Sequence, residues 1–210
     1  MKKIYILLLL SAFSLSLAAQ KHWYPKFGIT AATLSYGTEN VSKSSVSGLV
    51  GGIGYYSGDM LSLNSEFLYI QKGVKLESGD AYWQLKTGYL EIPLMLRLTI
   101  GPDAFKVFAV GGGYAAFWLH GTEEFTDEAG KVQSESYEFD SDYDNRLDFG
   151  LTFGAGAMLN LGKGNLMAEL RYDLGLSDIA KFPEGEKPEG WEGVKNHCVY
   201  FTIGFVMPID

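Results

Sequence analysis

The sequence predicts an all-β fold, an eight-stranded antiparallel up-and-down transmembrane β-barrel with short turns at one rim and long loops at the other. Three observations predict it. Apolar residues alternate with polar residues or glycine through most strand-length runs beyond residue 20. The connections alternate between tight and long. Ser57-Gly58-Asp59-Met60, Gly101-Pro102-Asp103 and Gly162-Lys163-Gly164 are tight, whereas residues 37–47, 77–85, 120–145 and 177–196 are long. The runs are roughly 9–16 residues, against about 9–11 for a tilted membrane strand and five or six for a typical soluble strand. A soluble sandwich has little reason to sort its loops by length; a barrel with one plain rim and one outward rim does.

The first 19 residues read as a cleaved signal peptide, leaving residues 20–210 as the barrel domain. Lys2 and Lys3 form a basic start, Ile4 to Leu17 an apolar stretch, and Ser16-Leu17-Ala18-Ala19 a small-residue cleavage site. An apolar run of about 14 residues falls short of the roughly 20 that a spanning helix needs. No cysteine follows it to carry a lipid. The exported chain has no other run long enough for a helix, so it can enter a membrane only as a closed barrel.

The strands follow in order. The first, 26–36, alternates weakly because Ala and Thr occupy both faces. The second, 48–56, opposes Leu49, Ile53 and Tyr55 to glycines 48, 52 and 54. The third, 61–72, opposes Leu61, Leu63, Phe67 and Tyr69 to Ser62, Asn64 and Glu66. The fourth, 86–100, sets Leu90, Ile92, Leu94, Leu96 and Leu98 against Glu91, Arg97 and Thr99. Pro93 interrupts it, and a bulge or a broken ladder is expected there. The fifth, 104–119, is apolar on both faces, and its facing is left open. The sixth, 146–161, opposes Leu147, Phe149, Leu151 and Phe153 to Arg146, Asp148, Gly150 and Thr152. The seventh, 165–176, opposes Leu166, Leu170 and Tyr172 to Glu169, Arg171 and Asp173. The eighth, 197–209, opposes Val199, Phe201, Ile203 and Phe205 to Cys198, Tyr200, Thr202 and Gly204. Aromatics near strand ends are expected to form two interfacial girdles: Trp23, Tyr24, Tyr55, Tyr56 and Phe105 at one rim, and Tyr36, Tyr69, Trp83, Tyr89 and Trp118 at the other.

A net charge of −8 argues against a nucleic-acid partner. The single Cys198 cannot form an internal disulfide. A mean hydropathy near zero suits strands that show lipid only at every second residue.

If the apolar faces meet lipid, then Glu66, Glu91, Arg97, Asp148, Glu169, Arg171 and Asp173 point into the barrel. Lone buried ions are too costly, so these groups are expected to pair as a structural plug that fixes strand register. A proton path or catalytic dyad is the alternative. A filled interior argues against an open pore.

The third long loop is strongly acidic. Within it Asp140-Ser141-Asp142-Tyr143-Asp144 resembles the start of a calcium loop, but Asn145 replaces the sixth-position Gly and Leu151 the twelfth-position Glu. The EF-hand reading therefore fails. Asp140, Asp142 and Asp144 remain a weak surface cation candidate on a solvated, mobile loop. His22, His120 and His197 share no ligand spacing, and Gly111-Gly112-Gly113 precedes no helix start. No catalytic residue, metal site or cofactor is expected.

Several segments together resemble the PorT-like, porin-family outer-membrane β-barrel proteins of Bacteroidetes-type bacteria. They are Leu61-Ser62-Leu63 leading through Glu66-Phe67-Leu68-Tyr69 to Gln71-Lys72-Gly73, and Tyr89-Leu90-Glu91-Ile92-Pro93-Leu94. Asp148-Phe149-Gly150 follows with Gly154-Ala155-Gly156, then Arg171-Tyr172 with Gly175-Leu176, and finally Phe201-Thr202-Ile203-Gly204-Phe205. The resemblance implies an eight-stranded barrel in the outer membrane, Pro at the Pro93 position, and no catalytic residues. It ties some relatives to protein secretion. The chain departs from many outer-membrane barrels in ending Met207-Pro208-Ile209-Asp210 rather than on an aromatic.

The expected function is a non-enzymatic outer-membrane barrel with an envelope-structural or surface-interaction role through its outer loops. Its partners would be outer-membrane lipid and other envelope or secretion proteins, and the chain itself would be a monomer. The alternatives are a ligand-transporting, ligand-binding or secretion-associated barrel, and a rim enzyme hydrolysing lipid or peptide. A soluble lipocalin-like barrel in the periplasm is a further alternative.

Overall fold

Strict alternation of inward and outward side chains turns this chain into a closed wall. The computed structural model describes residues 20–35, 42–78, 81–126, 130–183 and 185–209; the export segment read at 1–19 and the girdle residue Tyr36 lie outside them. The strands are β1 (Lys21–Ser35), β2 (Ser42–Ser44), β3 (Val46–Gly58), β4 (Leu61–Ser78), β5 (Ala81–Ile100), β6 (Phe105–Thr126), β7 (Val132–Ser136), β8 (Leu147–Asn160), β9 (Asn165–Gly175) and β10 (Lys195–Ile209). Eight of them close a ring in the order β1-β3-β4-β5-β6-β8-β9-β10, with β10 returning to β1, and every pairing is antiparallel. The strand count departs from eight because the short β2 and β7 add themselves to the long-loop ends of β4 and β6.

The exposed faces are apolar nearly all the way round. Phe27 is 70% exposed, Leu49 61%, Leu96 60% and Leu170 56%, whereas their sequence neighbours Lys26, Val50, Arg97, Glu169 and Arg171 are buried. A soluble monomer does not leave such a belt open to water. The same parity fixes β6, whose facing was open from sequence: Phe108, Val110, Tyr114, Ala116 and Trp118 point inward.

The prolines behave as strand donors with one hydrogen missing. The β4–β5 ladder lapses between Ser65↔Leu94 and Leu68↔Glu91, across Pro93, and resumes in the same register. Pro25 produces the same lapse between β1 and β10, while β1–β3 stays continuous through it. A strand residue donates to one neighbour only, so each proline costs one ladder and spares the other. The bulge lies elsewhere, at Gly88/Tyr89, where Leu119 becomes the extra residue of β6.

Two expectations need correction. The connection read at 77–85 is mostly a tall hairpin, because β4 runs to Ser78 and β5 starts at Ala81. Val74 and Leu85 are buried there and carry the core upward with the strands. The girdles are also thinner than expected. Trp23, Tyr55 and Phe105 face outward, but Tyr24, Tyr56, Tyr89 and Trp118 are buried inside. Position near a strand end does not choose the face; parity does, and these four share parity with inward neighbours.

The inward aromatics need space on the facing wall. A Cβ on Gly150 would meet the Tyr114 ring, and one on Gly156 would meet the Phe108 ring. Glycine at those points lets large rings fold flat across a narrow interior.

Candidate functional site

The interior is filled in layers from the short-turn rim to the long-loop rim. Nearest the short turns, the Arg97 guanidinium lies over the Phe108 ring at 3.7 Å and the Tyr56 ring at 4.5 Å. It donates to Thr99 Oγ1 at 3.3 Å and to the Met158 sulfur at 3.1 Å. Among the described residues no carboxylate pairs with it. The sequence put Arg97 in the ion-pair network, and the structure separates it. Glu91, the acid on the same strand, stands six residues further along, roughly 20 Å at strand rise.

The next layer is closed and balanced. Arg171 donates from Nη1 and Nη2 to the two oxygens of Glu66, at 2.8 and 2.9 Å, and from Nη2 to Glu169 at 2.6 Å. Lys26 Nζ lies 2.7 Å from Glu66 and 3.0 Å from Glu169. The Tyr24 hydroxyl donates to Glu66 and lies 2.8 Å from the Asn64 side-chain amide. Two acids thus meet two bases, all of them buried. The groups come from β1, β4 and β9, so the network ties three separated strands. A one-residue slip of any of them would turn its charge to the outer face.

The third layer holds an excess of acid. Lys72 Nζ sits 2.8 Å from Glu91 and 3.7 Å from both Asp148 and Asp173. Its ammonium also lies over the Tyr114 ring at 4.3 Å. Asp148 accepts from Asn196 Nδ2 at 2.9 Å and from Ser177 Oγ at 2.7 Å. Ser177 Oγ also accepts from Phe149 N at 2.8 Å, so it is held between the strand backbone and the carboxylate, and among the described residues no histidine joins the pair.

All seven sequence-predicted interior residues are therefore buried in the ring. Lys26 and Lys72 were missed. Lys72 lies six residues beyond Glu66 on the same face of β4, at the very end of the expected strand, and Lys26 shares a face with Tyr24 in the weakly alternating first strand.

An aromatic lid closes the long-loop end. Tyr137 stacks on Trp118 with ring centroids 5.1 Å apart, and Phe139 meets Trp118 edge-on at 5.0 Å. Arg146 covers Phe139 at 4.1 Å and donates to the Trp118 carbonyl. The acidic loop is thus folded back over the barrel. It is also knit to the fourth loop, where Lys181 N donates to the Tyr143 carbonyl and Asn145 N to the Ile179 carbonyl. Asp178 organises that loop by accepting from Trp191 Nε1 at 2.6 Å and from Val194 N at 2.8 Å.

This folding redirects the cation candidate. Asp144 accepts from the Tyr137 hydroxyl at 2.7 Å and from Asp140 N at 2.8 Å, and Asp140 accepts from Asp142 N at 2.8 Å. Among the described residues no group of three or more His, Cys, Asp or Glu side chains could hold a metal ion. The alternating aspartates build turns. The histidines stay apart too: His120 pairs with Tyr69 and His197 with Tyr172 on the outer wall, while His22 stacks on Tyr56 at the short-turn rim.

Burial, and then the hydrogen bond to Asp144, push the Tyr137 phenol well above its ordinary value. The neutral phenol is thereby favoured in the folded loop. Its contribution is complete below about pH 10, where a free tyrosine begins to ionise, and fades as pH rises further. Trp fluorescence should report the lid loosening above about pH 10. Tyr137→Phe should abolish that alkaline change while leaving the neutral spectrum; an unaltered transition in the variant would exclude Tyr137 as its origin.

Residues 18–181 match the family model described as outer membrane protein beta-barrel domain. No curated protein matches the chain. Among solved structures, the outer membrane protein OprG from Pseudomonas aeruginosa is similar at a TM-score of 0.57 and 12% identity, over 91% of this chain and 96% of that one. Ail, the attachment invasion locus protein of Yersinia pestis, follows at 0.47 and 14%, over 90% and 99%. Neisserial surface protein A stands at 0.44 and 13%, over 88% and 96%. The likeness to OprG bears on the fold alone.

Proposed function

This chain belongs to the outer membrane protein β-barrel domain family, and on that premise we propose that it is a non-enzymatic barrel that presents its long loops at the cell surface. It resides in the outer membrane. The observation that carries the proposal is the filled interior: three layers of buried charge and an aromatic lid occupy the space a solute would cross. Such a wall is a rigid mount, and what varies above it is the loop surface.

That surface is acidic. Glu135, Glu138, Asp140 and Asp142 of the third loop are exposed, as are Glu186, Glu189 and Glu192 of the fourth. The two loops are joined, and the Tyr143 hydroxyl donates to Glu186 across the seam. Such a surface suits a cationic partner, or anionic lipid headgroups bridged by divalent cations. Within the family we place the chain beside the PorT-like, porin-type members. The support is the order of its segments, including Pro93 with its lapsed ladder. Residues 1–19 would act as the export signal and leave before insertion.

Purified protein in planar bilayers tests the reading. It should give no stable conductance steps at neutral pH. Reproducible steps would show a continuous water path and would favour a transport barrel.

A further inference from the structure

The short-turn rim carries an opening that the plugged-barrel reading does not use. It is a cavity of about 540 Å³, lined by His22, Tyr56, Thr99, Lys106, Met158 and Asn165 among others. Three of these lining residues also touch the Arg97 guanidinium. Tyr56 lies beneath it, Thr99 accepts from Nε, and the Met158 sulfur accepts from Nη2. The guanidinium therefore lies one side chain below the cavity floor.

Arg97 is poorly served where it is. It is 1% exposed, and its acceptors are one hydroxyl and the thioethers of Met158 and, at 3.9 Å, Met167. Thioether sulfur is a weak acceptor, and a guanidinium presents five donors in a planar fork suited to a carboxylate or phosphate. Two aromatic faces offset part of the charge, and among the described residues no carboxylate pairs with it. Lys26, Lys72 and Arg171, the other buried bases, each have a carboxylate within 3.0 Å. Met158 is the movable part of the floor, unbranched and flexible.

The other charges at the mouth are engaged with each other or with solvent. Lys106 is paired with Asp103 at 3.2 Å, and Asp103 is almost fully exposed at the rim. Asp59 is exposed beside the turn.

We propose that the short-turn mouth binds a small oxyanion, a phosphate or carboxylate group, which displaces the Met158 thioether from Nη2 and the Thr99 hydroxyl from Nε and so takes the bidentate position on Arg97. His22, Asn165 and Lys106 line its approach. The mouth opens away from the long loops, so the oxyanion arrives either free in solution or as the headgroup of a lipid in the adjacent leaflet.

The test is NMR of the full barrel domain with ¹³C-methyl methionine and ¹⁵N arginine, in two arms. One uses zwitterionic phosphatidylcholine nanodiscs titrated with inorganic phosphate at constant ionic strength. The other uses phosphatidylglycerol nanodiscs without phosphate. The Met158 methyl and the Arg97 Nε–H should shift together and saturably. A response in the first arm assigns a free oxyanion, and one confined to the second assigns a headgroup. Arg97→Gln should weaken the response at least tenfold. Met158→Glu keeps Arg97 and supplies its carboxylate internally, so this variant should fold and lose the response. Silence in both arms with the wild type would overturn the proposal, as would a Met158→Glu barrel whose Arg97 Nε–H still shifts as it does in the wild type.

Discussion

Replacing Arg171 by Met destabilises the folded barrel by about 3–5 kcal/mol, the cost of leaving a buried carboxylate without its partner. Arg171 is the hub of the balanced layer, with three charge-assisted bonds to Glu66 and Glu169. Without it, two buried acids face Lys26 alone. The loss should be read from urea titration of the protein folded into phospholipid vesicles. Because much of the cost comes from the stranded carboxylates, adding Glu66→Gln should recover part of it, giving a coupling well above the few tenths expected for independent sites. Additive losses would mean that the two side chains do not interact as described. The intact pair need not contribute much net stability, since desolvation offsets most of its attraction. Its role is to make wrong registers expensive.

Replacing Phe153 by Arg destabilises the membrane-inserted barrel by about 2–4 kcal/mol, the range for a cation near the bilayer midplane on the lipid face. Phe153 is 47% exposed and lies near the middle of β8. The same change at Leu161, which follows β8 at the short turn, should cost about 0–1 kcal/mol, because the interface tolerates charge. The contrast between the two positions carries the information. Equal small effects at both would mean that no hydrocarbon surrounds Phe153.

Much of this architecture was legible in the chain. The clean alternation of 86–100, 146–161 and 165–176 identified outward and inward faces residue by residue, because a period of two leaves no ambiguity once one face is charged. The faces of 104–119 were illegible, since Val107 and Phe108 are equally apolar and only the closed ring decides which is inside. Lys26 was hidden by the weak alternation of its neighbours, and Lys72 by its place at the end of a strand. Arg97 was correctly turned inward but wrongly paired, because parity gives direction and says nothing of height along the barrel axis. The third loop looked like solvated acid. Its aromatic residues Tyr137 and Phe139 were the missed signal, since two rings amid carboxylates have reason to seek an apolar surface, and Trp118 supplies it.

The lid alters what a loop deletion would do. Excising 123–140 would remove Tyr137 and Phe139 as well as the acidic tip, and would open Trp118 to water. A variant that trims the tip but keeps residues 137–146 is the better probe of surface function.

Everything above requires that the apolar face of every strand look out at acyl chains. Nitroxide labels at Leu94, Phe153 and Ile203 in lipid vesicles test it most directly. All three sites should give mobile spectra with high collision rates for oxygen and low rates for a water-soluble nickel chelate. Chelate accessibility matching that of a loop label, or the immobilised spectra of a dry packed core, would contradict it.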